Sequence, residues 1–115
     1  MLKSPKSKGS VAERLFAKKL VDAGLDPYAK RMVLSGSVHG LESDIWTKLP
    51  FMFEIKSHEK IRLWEFWEQT KLQAVDSRKA PVLAVKSNRR DFLVVMGVND
   101  WLELTWYALK SDYGK

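Results

Sequence analysis

Apolar positions along this chain repeat in two rhythms. Val11, Leu15, Ala17, Leu20 and Val21 recur at helical spacing and stop at Gly24, which predicts a first helix. Ser10 precedes it as an N-cap, with Glu13 three residues on in capping-box spacing. Upstream, "MLKSPKSKGS" is polar and basic, so residues 1–9 read as a flexible arm before a domain spanning 10–115. "DPYAKRMVLSGS" reads as a turn, a short strand and a Gly/Ser loop. "SDIWTKLP" and "FMFEIKS" follow as strands that meet at Pro50. Residues 60–77 predict a second helix, with a broad apolar face of Leu63, Trp64, Phe66, Trp67 and Ala74. "APVLAVK" is nearly continuous in apolar residues, the mark of a central strand covered on both faces. "DFLVVMGV" gives another strand, and "NDWLELTWYALK" a closing helix capped by Asn99 or Asp100. The order of helix, three strands, helix, two strands and helix predicts one α/β domain, a mixed sheet flanked by helices.

Composition narrows the class. A chain of 115 residues fits a single domain. With 45% hydrophobic and 30% charged residues it has the material for a core, which argues against disorder. It has no cysteine, so disulfides and thiolate metal sites are excluded and a reducing compartment fits. No apolar run approaches a membrane span and no signal-peptide pattern opens the chain. The expected location is cytoplasmic, the host cytoplasm if the protein is phage-encoded. The net charge of +6 is unevenly spread. Lys3, Lys6, Lys8, Arg14, Lys18 and Lys19 face only Glu13 in the first nineteen positions, and Lys86, Arg89 and Arg90 cluster in "KSNRRD". This skew suits a polyanionic partner, against the plainer reading of a solvated basic face. Five tryptophans suit core packing first. Trp64, Trp67, Trp101 and Trp106 lie on helix faces broad enough to cover a partner subunit as well.

The chemistry concentrates in "FMFEIKSHEK". Phe51, Phe53 and Ile55 alternate with Met52, Glu54 and Lys56, so a carboxylate and an ammonium share one strand face. Asp44 lies ten positions before Glu54. If the strands pair near Pro50, the two carboxylates approach each other, and such a pair is costly without a positive charge between them. Mg²⁺ suits the need, since it takes one or two protein carboxylates and completes its shell with water and phosphate. Lys56 would orient or deprotonate attacking water and stabilise developing charge. Glu13 would add a third acid if the first helix packs over these strands. No HExxH spacing, Walker loop, dinucleotide fingerprint or GxSxG elbow is present.

Asp followed by Glu-x-Lys at the end of an apolar strand resembles the signature of the PD-(D/E)xK nucleases. "KGSVAERLFAKKL" is similar to the first helix of the archaeal and phage Holliday-junction resolvases. "SGSVHGLESDI" resembles the loop that leads those proteins into their metal-binding Asp, and "APVLAVKSNRRDFLVVM" their later strand pair. The resemblance covers roughly residues 8–97. It implies a restriction-endonuclease-like fold and a Mg²⁺-dependent endonuclease, with Mn²⁺ substituting, that cuts four-way DNA junctions as a homodimer. Carried onto this chain, Asp44 and Glu54 hold metal, Glu13 assists, and Lys56 is catalytic. Ser35 or Ser37 positions DNA, and Gln69 faces the site with Gln73 as a rival one turn on. Two departures stand out. The loop from Gly36 to Asp44 is longer than in the archaeal proteins, and Arg31, the nearest match to their arginine, is about two positions out of register.

The resulting expectation is a metal-dependent, structure-selective DNA endonuclease with Glu13, Asp44, Glu54, Lys56 and Gln69 at its centre. Lys6, Lys8, Arg14, Arg31, Lys86, Arg89 and Arg90 are expected at the DNA. The alternatives are a less selective flap or branched-DNA nuclease, a non-catalytic DNA binder that keeps the fold, and a protein-interaction module built on the tryptophan faces.

Overall fold

In the computed structural model, which describes residues 5–32 and 44–113, the core is organised around one strand. The elements, in chain order, are α1 (Pro5–Asp22), β1 (Lys30–Arg31), β2 (Ile45–Trp46), β3 (Phe51–Ser57), α2 (Leu63–Ala74), β4 (Ala80–Lys86), β5 (Leu93–Met96) and α3 (Val98–Tyr113). This is the order expected from periodicity. β4 is central, parallel to β3 and antiparallel to β5. It is covered on both faces, with Val82, Leu83, Ala84 and Val85 all buried. Its β-branched and aliphatic run suits that place, because neither side of the strand meets water. β1 and β2 form a separate antiparallel ladder of two residue pairs beside β3.

One face of the sheet is closed by α1. Ala12, Phe16, Ala17 and Leu20 pack on Phe53, Ile55, Val82 and Ala84. The Phe16 ring lies 5.1 Å from that of Phe53 and 5.3 Å from that of Phe92. Removing it as Phe16→Ala would cost about 3–5 kcal/mol in lost burial and residual cavity. The opposite face is closed by α2, where Phe66 and Trp67 cover Leu83 and Val85. Trp64 is exposed, so only half of the tryptophan pair on α2 serves the core.

Five local expectations change. α1 starts at Pro5, so residues 5–9 are helical and do not belong to an arm, and Ser10 does not cap the helix. Proline is favoured in a first helical turn, where its missing N–H costs nothing. Glu13 therefore sits well inside α1 and closes no capping box. The buried stripe of α1 uses Ala12 and Phe16 and leaves Val11 and Leu15 exposed. α2 is shorter than 60–77, and α3 opens at Val98, ahead of Asn99.

A buried acid fixes the approach to β3. Asp26 is fully inaccessible. Its Oδ1 accepts the Tyr28 N–H at 2.9 Å, and its Oδ2 accepts the Thr47 hydroxyl at 2.6 Å and the Lys48 N–H at 3.0 Å. The Thr47 hydroxyl and the two N–H donors hold its carboxyl below the usual range. The "DPYAK" turn is thereby tied to the β2–β3 connection, which sets where Asp44 meets β3.

Candidate metal and nuclease site

β3 is the sheet edge opposite β5, and Asp44 docks against it just before β2 begins. The Asp44 N–H donates to the Phe53 carbonyl at 3.1 Å, and its Oδ2 accepts the Ile55 N–H at 2.7 Å. The carboxylate thus takes a backbone donor that a neighbouring strand would otherwise pair. This brings Asp44 beside Glu54, as a meeting of the strands near Pro50 would require. Strand alternation turns Phe53 and Ile55 to the α1 side, and Glu54 and Lys56 to the α2 side. Lys56 Nζ stands 3.4 Å from Glu54 Oε1 and 5.2 Å from the centre of the Phe66 ring.

The two acids are under-provided with partners. Burial raises the pKa of Asp44 to about 7, the neighbouring Glu54 charge adds to the rise, and the Ile55 N–H opposes it. Burial also raises that of Glu54, while the Lys56 ammonium and the Gln73 amide pull it down. Glu54 Oε2 is buried with no hydrogen-bond partner, and so is Gln73 Oε1. A buried acceptor in that state carries its full desolvation cost. Among the described residues no group of three His, Cys, Asp or Glu side chains is placed to hold a metal ion. The donor set instead fits an oxygen-loving cation that keeps water and phosphate in its shell: two carboxylates, one with an orphaned oxygen.

Glu13 reaches the same region from α1, close enough for its charge to act on Asp44 and Glu54. Its Oε1 accepts from Arg31 Nε at 2.8 Å, in a pair about one-fifth exposed on each side. Arg31, expected at DNA, is therefore engaged with Glu13. Sequence reasoning missed this pair, which joins residues eighteen apart across two elements. Gln69 lies on the exposed side of α2, whereas Gln73 is half-buried beside Glu54. Gln73 lies nearer the centre of the buried stripe of Phe66, Thr70 and Ala74, so the rival glutamine takes the position assigned to Gln69.

At Ser57, on the α1 side of β3, the surface opens into a groove of about 380 Å³ between α1 and the turn after β4. Val11 and Leu15 line one wall, and Ser57, Lys86 and Arg89 the other. Arg89 has a φ of +63°, a left-handed conformation that costs a long side chain energy and is easy for glycine. Arg14 and Arg90 are exposed. Lys6 and Lys8 lie on α1 with side chains outside the described residues, and Ser35 and Ser37 lie outside them altogether.

A mixed sheet between helices, with an acid docked on an edge strand that ends in Glu-x-Lys, has the arrangement of a PD-(D/E)xK nuclease domain. Residues 4–112 match the family model described as "Phage putative PDDEXK endonuclease", and the chain belongs to that family. No curated protein and no solved structure matches it. Family membership carries the superfamily, but not the Holliday-junction resolvase type.

Proposed function

We propose that this protein is a Mg²⁺-dependent DNA endonuclease selective for branched DNA, with a four-way junction as its first substrate, and that it acts as a homodimer. The observation that carries the reading is Glu54: buried, with Oε2 unpartnered, beside Lys56 and the docked carboxylate of Asp44. Asp44 and Glu54 would hold the cation, with Glu13 assisting from α1. The bound cation would supply Lewis-acid stabilisation of charge on the scissile phosphate and a nucleophile at neutral pH. Lys56, held by Glu54, orients water and donates to the charge that develops on the phosphate. Gln73 steadies the Glu54 carboxylate from α2. The Glu13–Arg31 pair fixes α1 against β1 and holds the acidic corner in place.

The groove carrying Lys86 and Arg89 begins at Ser57, one residue beyond Lys56 and on the opposite side of β3, so a DNA strand lying in it would run along the end of β3 that bears Glu54 and Lys56. Arg14, Arg89 and Arg90 are then phosphate contacts, and such contacts position a duplex without reading its bases. Recognition by the shape of a branch follows from that chemistry. Arg89→Gly separates the two roles of this position. It relieves the left-handed strain, so thermal stability is kept or raised, while the salt dependence of DNA binding loses about one phosphate contact.

The test is cleavage of a labelled four-way junction beside linear duplex of the same sequence, in Mg²⁺ and in EDTA, with wild type and Glu54→Gln. Paired cuts near the branch that need both Mg²⁺ and Glu54 support the reading. Equal cutting of duplex and junction would reduce it to a less selective nuclease. Junction binding without cutting, in Mg²⁺ or Mn²⁺, would contradict it.

A further inference from the structure

The alternation that turns Glu54 and Lys56 to the α2 side of β3 does not stop at Lys56. His58 is the next residue on that side. Its N–H donates to the Lys86 carbonyl at 3.0 Å, so the β3–β4 ladder runs on through it although β3 ends at Ser57. Its ring lies 5.0 Å from that of Phe66 on α2, the same ring over which Lys56 Nζ stands at 5.2 Å. Phe66 is buried against Leu83 and Val85, so one fixed ring supports both side chains. His58 itself is exposed, and it lines an open cavity of about 440 Å³ with Glu59, Lys60, Arg62, Glu65 and Phe66. The charges of that cavity balance, and Arg62 is paired with Glu65 at 3.6 Å, so it is no trap for phosphate. Its distinguishing group is the imidazole.

We infer that His58 is a catalytic residue of the same site, the general acid that protonates the oxygen leaving the scissile phosphate. The assignment rests on the nuclease reading and adds a proton donor to it. In-line hydrolysis of a phosphodiester needs help on both sides of phosphorus, where water enters and where the sugar oxygen departs. Two residues of extended strand advance by about 6–7 Å. The backbone sets Lys56 and His58 one such step apart on one face, so a phosphate lying along the row meets Lys56 on one side and His58 on the other. With Lys56 at the attacking water, the new P–O bond forms on its side, and the water's proton passes to solvent. The bond to the sugar oxygen breaks on the far side. The imidazolium gives its ring proton to that oxygen, which leaves as an alcohol. The neutral imidazole then regains a proton from solvent, to which the exposed ring has ready access. Imidazole is the side chain suited to that exchange near neutral pH. The guanidinium of Arg62, in the same cavity, holds its protons too tightly for the task.

The test is a DNA substrate that wild type cuts, junction or duplex, with the leaving oxygen at the mapped cleavage position replaced by sulfur. A thiolate departs without a proton, so this substrate dispenses with a general acid. Single-turnover rates are compared for wild type, His58→Ala and His58→Gln in the same metal ion. On the all-oxygen DNA both variants should be slowed about 100-fold. On the sulfur DNA both should match wild type. Glutamine keeps a hydrogen-bond donor but has no proton to give, so an equal loss in His58→Gln excludes a mere contact. Melting temperatures should be unchanged, since the side chain is exposed. A defect of the same size on both substrates, or none on the all-oxygen DNA, would overturn the assignment and leave the nuclease reading standing. So would full activity in His58→Gln. A wild type that cuts no DNA at all would remove the nuclease reading and the role of His58 together.

Discussion

Asp26 is a buried carboxylate, Asp44 and Glu54 are a half-buried and a buried one, and the protein treats the single acid and the pair in opposite ways. Asp26 has three donors for its two oxygens, and its pKa is lowered. Asp44 and Glu54 are also largely withdrawn from water, yet their four oxygens share one backbone N–H, one lysine and the Gln73 amide, and both pKa values are raised. Burial alone does not mark a functional acid. A satisfied acid is a structural tie that stabilises the fold in its charged form. A pair left short of donors costs the fold stability, and that cost makes sense when a cation is to complete the set.

The comparison breaks most sharply under substitution. On the proposed reading Glu54→Gln should lower cleavage by on the order of 10³-fold or more, measured at saturating Mg²⁺, because it would remove a cation ligand and the charged partner of Lys56 together. The same change should hold or raise the metal-free melting temperature, since it deletes a buried charge. Asp26→Ala should do the reverse. It strands the Thr47 hydroxyl and two N–H groups and should lower the melting temperature by on the order of 5–10 °C. The cleavage rate of the protein that remains folded should change little. A thermal melt and a single-turnover assay on both variants check the pair.

Titration sharpens the same contrast. Without metal, folded Asp44 keeps a proton up to about pH 7, while in the unfolded chain it loses it near the ordinary value of 3.8. The folded state therefore binds more protons across that window, and stability falls as pH rises through it. Glu54 acts in the same direction. Asp26 acts oppositely, since its stabilisation is present above its unfolded pKa and lost as pH falls through its lowered folded one. Melting curves in EDTA from pH 4 to 8 should show the decline toward neutrality in wild type and a shallower one in Glu54→Gln. Added Mg²⁺ should offset it in wild type alone.

The smallest effect concerns the glutamines of α2. Gln73→Ala should slow cleavage about tenfold, the scale of a residue that supports a metal ligand. Gln69→Ala, on the exposed side, should be indistinguishable from wild type in the same assay. Equal losses would mean that the two share the site.

Much of this arrangement was legible before any coordinates. Alternation in "FMFEIKS" placed Glu54 and Lys56 on one face, and the unbroken apolar run of "APVLAVK" marked the central strand, because both periods are set by backbone geometry alone. What stayed hidden depends on how elements meet. Val11 and Leu15 form one stripe of α1, Ala12 and Phe16 a neighbouring one, and only the sheet decides which is covered. Gln69 and Gln73 are one turn apart, and which of them lies beside Glu54 depends on where α2 sits over β3. The Glu13–Arg31 pair is a tertiary contact with no local signal. The amphipathic pattern of α3 was visible, and its tryptophans pointed to a face wider than the core needs, but which flank overlooks the sheet was not, because periodicity carries no information about where the rest of the molecule lies.

The central claim is that Asp44 and Glu54 are a cation site kept short of partners for that purpose. Its most direct test is uptake of Mn²⁺ by the DNA-free protein, followed by the loss of the free-ion signal in electron paramagnetic resonance. Wild type should bind saturably at neutral pH, less tightly as pH falls below about 7, and Glu54→Gln should bind far more weakly. Equal uptake by both proteins, or none by wild type, would contradict the account and return Glu54 and Lys56 to the role of an ordinary strand pair.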